Sequence, residues 1–159
     1  MKIYIIGNSG SGKTTLASKL KGQLRIPCLH LDNLYLMLKE QLIYNSTLFL
    51  DDIMLFINSN NSWIIEGIYT QVEKEIATAS DFLIYLNTDE EEVMENTKKY
   101  SQNRREFLKS YYQDKRYSKN KVLIYSQGGH DILYDKYTKE KLKLKTIHSR
   151  EYDEIHKII

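Results

Sequence analysis

Gly7-Asn8-Ser9-Gly10-Ser11-Gly12-Lys13-Thr14 is the stretch on which the reading of this chain turns. It satisfies the spacing G-x-x-x-x-G-K-S/T, in which glycines let the backbone curl until its amides converge on phosphate oxygens. At an average glycine usage of about 7%, a chance match in a chain of this size is well below roughly 1%. The flanks agree with it. Ile3-Tyr4-Ile5-Ile6 reads as a short apolar strand, and Leu16, Leu20 and Leu24 recur every four positions from Lys13 onward, marking one buried helix face. A helix starting near Lys13 adds partial positive charge at its N-terminus. The pattern assigns Gly7, Asn8, Ser9, Gly10, Ser11, Gly12, Lys13, Thr14 and Thr15 to the phosphates of ATP. Lys13 is placed to bridge the β- and γ-phosphates and the Thr14 hydroxyl to ligate Mg²⁺.

Further apolar runs follow at helical intervals. Residues 27–31 lead to Asp32, Trp63-Ile64-Ile65 to Glu66-Gly67, and Phe82-Leu83-Ile84-Tyr85-Leu86 to Asn87. Short, nearly continuous apolar strands separated by helical stretches predict a parallel sheet covered on both faces. A last strand from Leu142 to Ile147 alternates with Lys143 and Lys145, the pattern of a half-exposed edge. Thr88 reads as the N-cap of a long helix with Glu91 in the capping-box position. Residues 122–137 stay open between helix and loop because Gly128-Gly129 interrupts them.

The chain has 159 residues, 42% of them hydrophobic, which suits one domain spanning 1–159 and excludes a disordered chain. A single cysteine, Cys28, allows no internal disulfide and fits a reducing cytoplasm. The first apolar stretch is too short for a signal-peptide core, and no run approaches the roughly 18 apolar residues of a membrane span. The expectation is a soluble, cytoplasmic protein without a membrane partner. Net charge is only +2, but residues 98–121 carry nine basic side chains against Glu106 and Asp114, a local +7. Such a run is either a solvated face or a cationic surface with a task.

Two classes of nucleotide-binding protein recede on sequence grounds. A GTPase needs N-K-x-D, and Asn120-Lys121 continues into Val122-Leu123; motor and transporter ATPases end a strand with Asp-Glu, where this chain has Glu66-Gly67. Acids at strand ends lie where open α/β sheets bind ligands. There Asp32 is suited to accept a proton from an acceptor hydroxyl or to hold Mg²⁺ through water, the plainer alternative being a helix N-cap. Glu66 is suited to orient the water shell of Mg²⁺, against the alternative of a surface acid. His30 and Cys28 read as packed strand residues.

Taken together, the GNSGSGKTT loop, Ile26 to Asp32, Trp63 to Tyr69 and Ala79 to Leu86 resemble the adenylate-kinase-like P-loop kinases. Within these the chain is most similar to the small proteins often labelled DNA-topology-modulation proteins. The similarity is good over roughly residues 1–105 and looser beyond. It implies a three-layer α/β/α fold with a five-stranded parallel sheet in order 2-3-1-4-5, ATP and Mg²⁺ as cofactors, and a helical lid over the phosphates. The lid falls at about 98–121, and Arg104, Arg105 and Arg116 are its candidates for neutralising charge on the transferred phosphoryl group. His148-Ser149-Arg150 follows the last strand, where related kinases place adenine; a plain turn is the alternative. The chain departs from the family pattern at Glu66, where Asp is usual, at Ile68 in place of Asn, and in lacking tryptophan between Asp32 and Trp63.

The acceptor segment, about 32–60, is marked by what it lacks. No arginine occurs between Arg25 and Arg104, so an anionic acceptor would meet few bidentate partners. The expectation is phosphoryl transfer to a small hydroxyl-bearing metabolite, nucleoside- or sugar-like. A nucleoside-monophosphate kinase and a nucleotide-dependent DNA-binding regulator are the alternatives, the latter not favoured because the basic run lacks regular aromatic interleaving.

Overall fold

The computed structural model describes residues 1–40, 46–67, 69, 71–96, 127–146 and 155. The apolar run before the glycine loop forms β1 (Lys2–Gly7), and the four-residue leucine repeat forms α1 (Lys13–Leu24). That helix stops where Arg25 turns left-handed at φ 55 and its amide bonds back to the Lys21 carbonyl, two residues before Pro27. Next come β2 (Cys28–His30), α2 (Leu31–Glu40), α3 (Ser46–Ser59) and β3 (Trp63–Glu66). The described elements continue with α4 (Glu73–Ala79), β4 (Phe82–Leu86), α5 (Glu90–Asn96), α6 (Gln127–Lys136) and β5 (Glu140–Leu144).

All strand pairings are parallel, and the order is β2-β3-β1-β4-β5, as the resemblance implied. β1 is central, with Ile3 opposite Ile64 on one side and Phe82 on the other. Strand alternation then sorts the core into two layers. Ile3, Ile5, Ile64 and Ile84 meet Leu16, Ala17 and Leu20 of α1, while Tyr4, Ile65, Leu83 and Tyr85 meet Leu31, Phe49, Ile53 and Ile76. Each fully buried Leu or Ile of this kind contributes roughly 1.5–3 kcal/mol of apolar burial. The fold is a three-layer α/β/α sandwich.

Several boundaries differ from the sequence expectation. Asp32 does not end a strand; β2 closes at His30 and Asp32 lies in the first turn of α2. The last strand runs over 140–144 instead of 142–147, with Leu144 buried and Lys143 exposed. Residues 127–136 are helical because Gly128 and Gly129 fall in the first turn, where a helix interior is not yet interrupted. Two lysines at the start of the last strand are not simply solvated. Lys141 donates to the carbonyls of Tyr134 and Tyr137 (2.7 and 3.1 Å) at the end of α6, and Lys139 to those of Thr78 and Ser80 (2.8 and 2.6 Å) at the end of α4. Cations there satisfy the open carbonyls and oppose the negative ends of the two helix dipoles. Among the described residues no helix is long and apolar enough to cross a membrane. The basic run at 98–121, its lid with Arg104, Arg105 and Arg116, and His148 to Arg150 lie outside the described residues.

Candidate active site

Residues 7–12 leave the C-terminal end of the central strand and turn directly into α1. At Gly7 (φ 148) a Cβ would sit 2.4 Å from the Leu86 carbonyl oxygen of β4, so no larger residue fits there. The N-cap of α1 is Gly12, which offers no side-chain acceptor to the first turn. The leading amides of the helix, including those of Lys13, Thr14 and Thr15, therefore have no intrahelical partner. Lys13 arches back, donating from Nζ to the carbonyls of Gly7 and Asn8, both at 2.9 Å. Burial lowers the pKa of this amine, while the charges of Glu66 and Asp32 oppose the shift. Asn8 Oδ1 and Ser11 Oγ are buried beside it without a partner among the described residues. An uncapped helix end, an amine resting on its own loop and spare polar atoms form a cradle that fits the phosphates of a nucleotide.

Thr88 supports the loop from β4. Its hydroxyl donates to the Ser11 carbonyl at 3.1 Å in a buried position. The helical bond of α5 from the Val93 amide ends on Asp89, so Asp89 occupies the N-cap position expected of Thr88. One residue of offset converts an expected cap into a brace under the phosphate loop.

A chain of donors converges on Glu66, which is only 2% exposed at the end of β3. Thr14 Oγ1 donates to Glu66 Oε1 at 2.9 Å, and His30 Nδ1 lies 2.8 Å from the same oxygen. His30 Nε2 lies 3.7 Å from Cys28 Sγ. The order cysteine, histidine, carboxylate is that of an activated nucleophile. Here, however, burial and the Glu66 charge push the Cys28 thiol up to about 11, so the sulfur keeps its proton. The chain orients a carboxylate instead. Thr14 spends its proton on Glu66, leaving its oxygen lone pairs for a cation, and Mg²⁺ takes few protein ligands when phosphates supply the rest. The donor set fits Mg²⁺ in that partial sense; among the described residues no group of three or more histidine, cysteine, aspartate or glutamate side chains is arranged to hold a metal ion by itself.

Asp32, in the first turn of α2, is exposed and accepts a hydrogen bond from Tyr69 Oη at 2.9 Å. Tyr69 packs with Tyr35 and Phe49, ring centroids 5.4 and 5.0 Å away. Between Glu66 and Tyr69 the chain passes Gly67 (φ 116), where a Cβ would meet the Leu31 Cβ at 2.9 Å. Thus Glu66 and Asp32 flank a tight contact between the end of β3 and the start of α2.

Sequence reasoning missed two histidines. His30 carries the Glu66 contact because it is the register partner of Glu66 across β2 and β3, a pairing no local pattern announces. His130, in α6, is fully buried against Tyr85 (5.8 Å, edge-on) and lies by the backbone of Gly7 without a well-formed hydrogen bond. Burial, and after it the charge of Lys13, push its pKa down to about 4, so it is neutral beside the loop. Its only local signal was a histidine following two glycines.

No protein family model and no curated protein matches this sequence. Solved structures do. A shikimate kinase from Acinetobacter baumannii in complex with shikimate superposes with a TM-score of 0.57 at 18% identity, covering 99% of this chain and 89% of that one. A shikimate kinase from Bacteroides thetaiotaomicron gives 0.58 at 12% identity, with 99% and 96% covered. An uncharacterized protein from Eubacterium ventriosum gives 0.58 at 19%, with 99% and 98% covered. At these identities the likeness is one of fold, a five-stranded parallel sheet between helical layers.

Proposed function

We propose that this protein transfers the γ-phosphoryl group of ATP, with Mg²⁺, to a hydroxyl of a small, weakly charged metabolite of nucleoside- or sugar-like character. The observation that carries the reading is geometric: in one loop at the end of the sheet, Lys13 Nζ rests on the carbonyls of Gly7 and Asn8 while the next residue, Thr14, is bonded to Glu66 at 2.9 Å. A phosphate grip, a metal-side carboxylate and a second, exposed carboxylate are the parts that phosphoryl transfer needs in proximity. Lys13 exchanges its two loop carbonyls for phosphate oxygens. Thr14 and Glu66 would hold the Mg²⁺, whose contribution when bound would be to neutralise phosphate charge. Asp32 accepts the proton of the acceptor hydroxyl, its orientation held by Tyr69. Arg104, Arg105 and Arg116 complete charge neutralisation from the lid segment expected at 98–121. An ATP-consuming enzyme with one reduced cysteine belongs in the cytoplasm.

The acceptor class rests on the surroundings of Asp32. Among the described residues from Asp32 to Asn96 the basic side chains are Lys39 and Lys74. Lys39 lies over the Tyr35 ring at 5.9 Å, and Lys74 borders a groove between α4 and α6. Neither is a bidentate phosphate partner. Two fold neighbours are shikimate kinases, one holding shikimate, which supports a small-molecule acceptor over a nucleic acid. The deciding experiment is a γ-³²P transfer screen over nucleosides, nucleoside monophosphates, sugars and hydroxy acids. Label appearing in an uncharged or weakly charged hydroxyl compound supports the reading; label only in monophosphates would move it to a nucleotide kinase. No transfer to any class, together with tight duplex DNA binding at physiological salt, would replace it with the regulator.

A further inference from the structure

We propose that His30 is a positioning residue for the Mg²⁺ site, occupying Glu66 Oε1 so that Oε2 remains the oxygen offered to the cation. This rests on the phosphate-loop reading above. His30 and Glu66 are register partners on β2 and β3 and approach to 2.8 Å on the face of the sheet that carries α1. A carboxylate only accepts, so Nδ1 is the donor. Cys28, two residues earlier and on the same face, reaches Nε2 at 3.7 Å. With Nδ1 donating to the carboxylate, Nε2 is the acceptor that suits the weak S–H donor of the thiol. The sulfur thereby supports that tautomer, the tautomer fixes the carboxylate, and the Thr14 hydroxyl adds a second donor to the same Oε1 at 2.9 Å. Oε2 receives no hydrogen bond among the described residues. A glutamate loses several rotamers when it is ordered, and a donor that orders it in advance reduces what cation binding must supply.

The test is calorimetric ADP binding across a Mg²⁺ titration for wild type, His30→Leu and His30→Asn. Outer donors of this kind change metal affinity by roughly 10–100-fold. In His30→Leu the Mg²⁺ concentration that half-saturates the gain in ADP affinity should rise about tenfold, with metal-free ADP affinity unchanged. His30→Asn, whose amide nitrogen donates from near the place of Nδ1, should restore most of the loss. A purely structural histidine would weaken ADP binding with and without Mg²⁺ and would not be rescued. As a measurement that needs no variant, ¹⁵N NMR of wild type should show the His30 proton on Nδ1. An unchanged Mg²⁺ requirement in His30→Leu, or a proton on Nε2, overturns the assignment even if wild type binds Mg-ADP well. Wild type that binds no nucleotide under any condition overturns the phosphate-loop reading, and this proposal with it.

Discussion

The phosphate loop is braced by buried groups, Gly7 against the Leu86 carbonyl and Ser11 under the Thr88 hydroxyl, whereas Asp32 at the start of α2 is exposed and accepts a hydrogen bond from Tyr69. The first arrangement is fixed by close packing on the central strand. The second lies on a helix start over an aromatic cluster, where small side-chain movements leave the core intact. On the proposed reading the contrast separates two tasks. Nucleotide phosphates are the same in every turnover and suit a rigid cradle, while the acceptor is what distinguishes one kinase from another on a shared fold. The nucleotide end should therefore respond to mutation by losing binding, and the acceptor end by losing rate.

The hardest blow to that contrast is Lys13→Ala. It removes the amine that spans the loop, and Mg-ATP binding measured by calorimetry should be abolished; unchanged affinity would remove the nucleotide end altogether. Asp32→Asn keeps shape and deletes charge. ATP binding should survive while transfer to an identified acceptor falls by about 10²–10⁴-fold, the usual contribution of a positioned base. A fully active Asp32→Asn enzyme would return that residue to the helix start as a dipole partner.

His130 sharpens the comparison through pH. Its folded pKa is pushed down to about 4, below the unfolded value near 6.5, so between these limits the unfolded chain binds the extra proton. Its contribution is complete above pH 6.5 and is lost as pH falls toward 4, by about 3 kcal/mol in all. His130→Phe, matched in shape for a ring packed edge-on to Tyr85, should flatten that part of the acid limb in denaturant titrations at pH 7, 5.5 and 4. If the slope is unaltered, acid sensitivity belongs elsewhere. The smallest effect is expected at the acceptor end. Tyr69→Phe removes one hydrogen bond, worth about 0.5–1.5 kcal/mol, and should change acceptor KM a few-fold with nucleotide affinity untouched.

What could be read from the sequence follows the same division. The loop was legible because all its parts are contiguous and each glycine has a steric reason to be there. The sheet was legible because buried parallel strands announce themselves as apolar runs. Asp32 was expected to end a strand and instead lies in the first turn of α2, since β2 is only three residues long and its apolar character runs into that helix. His30 was hidden because its partner lies 36 positions away and is chosen by strand register. His130 was hidden because two glycines resemble a loop until packing shows them at a helix start. Lys139 and Lys141 drew no reading from the sequence and prove to close two helix ends, a role set by where α4 and α6 stop.

Gly67 sets the gauge of the crevice. With room for only a hydrogen atom toward Leu31, it presses the end of β3 against the beginning of α2, and the two carboxylates ride on either side of that contact. On the proposed reading, the spacing between the metal-side carboxylate and the acceptor-side carboxylate is thus set by a backbone-to-side-chain touch. A lineage, or an engineer, wishing to change the acceptor has the rings of Tyr35 and Tyr69 to work with. If that reading holds, a larger residue at position 67 would separate Glu66 from Asp32 and lower the transfer rate whatever the acceptor.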